Sequence, residues 1–104
     1  MSTINKLAAT IAARASASPD SSYTAKLLHD GIEKCAKKFG EEAFELALAA
    51  ASKDKAHTAQ EAADVIYHLL VLLQASNVSL AEVETVLATR EAQSGLDEKA
   101  NRRG

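Results

Sequence analysis

A chain of 104 residues with 47% hydrophobic content has the composition of one globular domain and not of a disordered segment. Its net charge of -2, from 12 basic and 14 acidic residues, provides no basic surface for a nucleic acid partner. The single cysteine, Cys35, excludes an intrachain disulfide and a multi-cysteine zinc module, and no stretch approaches the ~20 apolar residues of a membrane span.

The opening MSTINKLAATIAAR lacks a basic region followed by an unbroken apolar run, so a soluble, cytoplasmic protein is expected. Within it Ile4, Leu7, Ala8 and Ile11 recur at helical spacing, which predicts a first helix ending near Arg14. ASASPDSS, with the only proline, reads as a loop. Ser22 or Thr24 then caps a second helical segment running through LLHD, with a bend or break at Gly31.

From Ile32 to about Ser52 the apolar positions 32, 35, 36, 39, 43, 46, 47 and 50 trace one stripe of a long helix. Gly40 inside it implies a close neighbour or a bend. SKDKAH reads as a polar turn, and TAQEAADVIYHLLVLLQASN as a helix apolar on most sides, ended by Asn77 in a left-handed conformation. SLAEVETVLATR opens with Ser79 and Glu82 in capping-box spacing, and Val78 and Val83 are placed as a hydrophobic staple. Residues 94–104 are polar and read as a tail after a domain spanning 1–93. The pattern predicts an all-α bundle of four main helices, completed by homodimerisation because so apolar a central helix needs more cover than one short chain supplies.

The acidic residues do not all fit a solvated face. With Phe39 as the centre of its stripe, Glu42 projects roughly 60° to one side, Glu45 about 120° and Glu41 about 160°. Glu42 therefore borders the core, Glu45 lies beyond it on the same edge, and Glu41 faces outward, with Lys38 projecting between Glu42 and Glu45. On the later helix Glu61, Asp64 and His68 share one side with Val65 and Leu72. Thr58 and Glu61 also have capping-box spacing, which accounts for Glu61 but leaves Asp64 unexplained beside leucines. If the two edges meet, four carboxylates converge, and each like-charged pair ~4 Å apart costs about 4 kcal/mol at an effective dielectric near 20. Partial protonation, neutralising lysines or a divalent cation would each relieve that repulsion, and an all-oxygen set suits Mg²⁺ or Mn²⁺.

The pattern EExxE (Glu41, Glu42, Glu45) followed by ExxD (Glu61, Asp64) resembles the all-α NTP pyrophosphatase superfamily, which includes MazG and the dimeric dUTPases. SYTAKLL at 22–28, KKFGEEAFE at 37–45 and EAADVIYHLLVLL at 61–73 resemble the phosphoribosyl-ATP pyrophosphohydrolases of histidine biosynthesis, over about residues 3 to 93. The resemblance implies Mg²⁺-dependent hydrolysis of the α,β-phosphoanhydride of phosphoribosyl-ATP, giving phosphoribosyl-AMP and pyrophosphate. It implies Glu42, Glu45, Glu61 and Asp64 as metal ligands, and Glu41 as a neighbour of the metal or activator of water. Phe39 and Gln60 depart from the family pattern without touching a proposed ligand. Lys26 and Lys38 are expected at the phosphates, Lys38 with Glu41 in catalysis, since a triphosphate needs more positive charge than the metal supplies. His68 is expected to touch substrate or to serve as a buried structural histidine. Tyr67 and Cys35 are expected in core packing. Two rivals share parts of this pattern: a house-cleaning pyrophosphatase acting on free nucleoside triphosphates, and a non-catalytic helical dimerisation module.

Overall fold

Short polar side chains fix where most helices begin. In the computed structural model, which describes residues 2–92, Ser2 caps α1 (Thr3–Arg14), Ser22 caps α2 (Tyr23–Asp30) and Asp54 caps α4 (Lys55–Ala75). Each accepts a hydrogen bond from a backbone N–H three residues on, at 3.0–3.1 Å. Ser79 and Glu82 form the expected reciprocal box at the start of α5 (Leu80–Glu91). Only α3 (Ile32–Ala51) begins without a side-chain cap, at Gly31.

Among the described residues the fold is all-α, with five helices: four main ones and the short α2, the second segment expected through LLHD. Gly31 separates α2 from α3 by adopting φ 103°, a value that halts one helix and redirects the next. Asn77 is left-handed as expected, with φ 59°. The turn between the long helices is shorter than expected. Lys53, at φ 64°, reverses the chain, and Asp54 caps α4, which starts at Lys55, three residues before Thr58. Thr58 therefore caps nothing, and its hydroxyl donates to the Asp54 carbonyl at 2.7 Å. The capping-box explanation of Glu61 falls with it. The expected tail at 94–104 lies outside the described residues.

The dominant packing is α3 against α4, an antiparallel hairpin. Counted from Lys53, Glu45 and Glu61 lie equally far from the turn, as do Glu42 and Asp64, Lys38 and His68, and Cys35 and Val71. An antiparallel pair places such partners at one level. Cys35 and Val71, 1% and 0% exposed, are indeed joined in the core with Ile11, Leu27 and Leu70. Each large apolar side chain fully buried there contributes about 1.5–3 kcal/mol.

α1 and α2 pack onto the hairpin around this core, with Leu7, Leu28, Tyr67 and Leu80 around its edge. Toward the turn the outer side of α3 is bare. Ala36, Ala47 and Ala50 of the predicted stripe are exposed, as is Ile32, while Glu42 and Leu46 turn inward with Cys35 and Ala49. The true inward line of α3 thus runs nearer Glu42 than the Phe39-centred stripe suggested. A Cβ on Gly40 would meet nothing within 4 Å, so no close neighbour within the chain requires that glycine. No single helix among the described residues is long and apolar enough to cross a membrane.

Two outcomes follow from the backbone and the core. Gly31→Ala should lower unfolding stability by about 1–3 kcal/mol in urea titration, although its Cβ would meet no atom within 4 Å, because the cost lies in holding a positive φ. Burial raises the Cys35 thiol pKa, with Asp30 adding to the effect, and its Sγ lies 3.3 Å from the Leu27 carbonyl oxygen. Thiol reagents at pH 8 should therefore leave Cys35 unlabelled in the native protein and modify it after unfolding in urea.

Candidate active site

Seven residues separate Cys35 from Glu42, and seven separate Asp64 from Val71. Two helical turns bring a residue back to within about 20° of its starting direction. The inward lines that carry Cys35 and Val71 into the core therefore carry Glu42 and Asp64 toward one another about 10 Å further along the hairpin. At that level neither α1 nor α2 supplies a buried apolar wall, and Asp64 is exposed despite its inward direction.

Glu42 and Glu45 of α3 and Glu61 of α4 each place one carboxylate oxygen within 4.8 Å of the others. Asp64 is not in that group. One methylene shorter than glutamate, it does not reach the three oxygens. Glu61 is largely enclosed: its side chain is 13% exposed, His57 Nε2 lies 3.1 Å from Oε1, and Oε2 is buried without a hydrogen-bond partner. An orphaned carboxylate oxygen is costly, and at 4.8 Å each pair of ionised carboxylates repels by roughly 3 kcal/mol at an effective dielectric near 20. A hard divalent cation answers both demands. The donor set is all carboxylate oxygen, which would suit Mg²⁺ or Mn²⁺.

Basic groups lie on the core side of these acids. Lys38, projected between Glu42 and Glu45, is paired with Glu41 at 3.4 Å. The Tyr23 phenol and then Glu41 hold its ammonium above the usual lysine range, so it remains a cation at neutral and mildly alkaline pH. Lys26 is largely exposed and lies 3.7 Å from Asp30. Glu41 is exposed and lies outside the three-carboxylate group, tied to Lys38.

His68, 7% exposed, donates from Nδ1 to the Asp64 carbonyl oxygen at 3.0 Å and leaves Nε2 buried without a partner. Its ring meets Tyr67 edge-on at 4.9 Å between centroids. Tyr67 packs at the core edge as expected, and its hydroxyl shares a hydrogen bond with Thr24.

Three features escaped the sequence reading. His57 contacts Glu61, a pairing legible only as an i, i+4 spacing once the helix is known to start at Lys55. Tyr23, half exposed, stacks on Tyr67 at 6.4 Å and meets His68 edge-on at 6.2 Å. A recess of about 260 Å³ opens on the turn side of the acids, lined by Glu45, Leu48, Ala49, Ser52 and His57. A wider hollow of about 580 Å³ sits at the tip of the hairpin, but its walls are alanine, lysine and threonine and hold no acid.

Comparison with known proteins adds the chemistry these groups serve. A protein named phosphoribosyl-ATP pyrophosphatase from Cereibacter sphaeroides is 59% identical over 98% of this chain and 99% of its own length. One named phosphoribosyl-ATP pyrophosphatase 1 from Rhodopseudomonas palustris is 54% identical over 97% of this chain and 94% of its own. A third, phosphoribosyl-ATP pyrophosphatase from Paracoccus denitrificans, is 54% identical over 96% and 93%. The sequence model of one family matches residues 4–91, a span that includes every helix carrying the acids and lysines above. The chain belongs to the phosphoribosyl-ATP pyrophosphohydrolase family.

Proposed function

We infer that this chain hydrolyses the α,β-phosphoanhydride of phosphoribosyl-ATP, releasing phosphoribosyl-AMP and pyrophosphate in cytoplasmic histidine biosynthesis. Glu42, Glu45, Glu61 and Asp64 hold Mg²⁺, or Mn²⁺ in its place. The observation that most supports this reading is the buried, unpartnered Oε2 of Glu61, beside two further carboxylates on the facing helix. Relatives of 54–59% identity over nearly the whole chain bear that activity in their names.

When bound, the cation supplies concentrated positive charge to the triphosphate oxygens and lowers the pKa of water. The chain's own groups do the rest. Glu42 and Glu61 would offer their oxygens from opposite helices, and Asp64, on the same inward line but short of the other three, would be the fourth ligand. Lys38, from the core side, neutralises phosphate oxygens, and Lys26 adds a second, more mobile cation. Glu41, oriented by Lys38, takes the proton of the attacking water. The water oxygen bonds to one of the two bridged phosphorus atoms, and the bridging P–O bond breaks with its electron pair staying on the departing phosphate. His68 braces the α4 turn that carries Asp64 through the bond from its Nδ1 to the Asp64 carbonyl.

The same reading includes a homodimer. Gly40, Phe44, Ala47, Leu48 and Ala51 share the outward side of α3, with Phe44 66% and Leu48 56% exposed. A radius of gyration of 15.8 Å, against about 13 Å for a compact chain of this length, reflects how little of the hairpin its own chain covers. A second copy burying this apolar side would also close the open end of the bundle near Glu45 and Asp64.

Pyrophosphate release should depend on Mg²⁺ and be far faster from phosphoribosyl-ATP than from a panel of free NTPs and dNTPs; comparable rates would favour a house-cleaning enzyme. Glu45→Ala and Asp64→Ala should each abolish turnover with helicity by circular dichroism nearly unchanged, and Mg²⁺ should raise the Tm of the native protein but not that of Glu61→Gln. Wild-type rates in both alanine variants would dismiss the metal site. In sedimentation, the native chain should run as a dimer and Phe44→Glu as a monomer; a monomeric wild type would count against the assembly.

A further inference from the structure

On the core side of the acids, a recess of about 270 Å³ opens between α2 and α3, lined by Tyr23, Lys26, Leu27, Asp30, Lys34 and Lys38. Three lysines face one acid across it. Lys26 is engaged by Asp30 and Lys38 by Glu41, whereas Lys34 has no ion-pair partner among the described residues. The recess is therefore cationic, in contrast to the four acids beyond it. Its volume falls below the ~300–1,000 Å³ that whole drug-sized ligands occupy and suits a sugar phosphate. One wall is the Tyr23 ring, held in place by Tyr67 and His68 behind it.

Phosphoribosyl-ATP is anionic at both ends. Its triphosphate hangs from one ribose, and a monophosphate ends the second ribose on the far edge of the adenine. ATP has no such second end. A cation site with Lys38 beside it grips the triphosphate of either molecule, so selectivity needs a second anion receptor at a distance. Lys34, Lys38 and Glu42 are spaced four residues apart on α3, which sets Lys34 about 12 Å from Glu42 along the axis with Lys38 midway. An adenine flanked by two riboses spans that kind of separation.

We propose that the Tyr23–Lys34 side of this recess seats the monophosphate of the phosphoribosyl arm, with Lys34 the residue that distinguishes phosphoribosyl-ATP from ATP. The Tyr23 ring packs against the sugar or base as the arm enters. This assignment rests on the function inferred above and adds to it the determinant of substrate choice.

The test compares initial rates of pyrophosphate release by the wild type and Lys34→Glu on two substrates: phosphoribosyl-ATP, and ribosyl-ATP, which lacks only the distal phosphate. Lys34 is exposed on its helix, so the substitution leaves packing intact. Lys34→Glu should raise KM for phosphoribosyl-ATP by about tenfold or more with kcat within about twofold, as expected for loss of a charge-assisted phosphate contact. On ribosyl-ATP the wild type should already show the raised KM, and the variant should add nothing to it. An unchanged KM on phosphoribosyl-ATP, or an equal penalty on both substrates, overturns the assignment while leaving the hydrolase function standing. A wild type inert toward phosphoribosyl-ATP overturns the function itself, and this assignment with it.

Discussion

The antiparallel register of α3 against α4 governs everything else in this small protein. Because the helices meet with Cys35 and Val71 level in the core, the residues two turns nearer the hairpin bend, Glu42 and Asp64, are carried inward along the same lines. The bundle uses one packing geometry twice. Where α1 and α2 cover it, the inward line is sulfur and hydrocarbon; beyond their reach it becomes carboxylate. The acids tolerate that direction only because the hairpin is open at their level, leaving room for water, a cation and a substrate.

Charge is graded along α3 in the same sense. Lys34 and Lys38 precede Glu41, Glu42 and Glu45, so a single helix presents a cationic stretch and then an anionic one to the same side of the molecule. The lysines and the carboxylates are brought together by one ion pair, Lys38 with Glu41, at the boundary. Aromatic packing secures the cationic end: Tyr23 leans on Tyr67 and His68, and Tyr67 is itself tied to Thr24. The loop-separated α2 is thus fastened to α4 beside the site it helps to build.

The outward side of the hairpin is apolar and the inward side ends in acids. A partner that buries Phe44 and Leu48 would restrict water around carboxylates whose mutual repulsion grows as water leaves. Cation binding and assembly would then support each other, since the cation removes the repulsion that closure would otherwise intensify.

Much of this was written in periodicity and local chemistry. The helical class, the caps at Ser22 and Ser79, the left-handed Asn77, the buried Cys35 and the inward bias of Glu42 all follow from interactions within a few residues of one another. The family was readable because its characteristic stretches span nearly the whole chain. What neighbours in sequence could not decide were matters of register and rotation. Thr58 has a sound capping pattern, yet Asp54 begins the helix earlier, because a left-handed Lys53 closes the bend in fewer residues than SKDKAH suggested. The apolar stripe of α3 pointed to Phe39, yet the inward line passes closer to Glu42, because only α4 decides which part of a broad apolar surface is covered. Sequence by itself thus determined which residues form helices and which carry charge. Tertiary packing alone decided that Glu42, Glu45 and Glu61 converge while Asp64 falls short, and that three lysines line one recess, because distances across a bundle depend on how helices are rotated and aligned against each other.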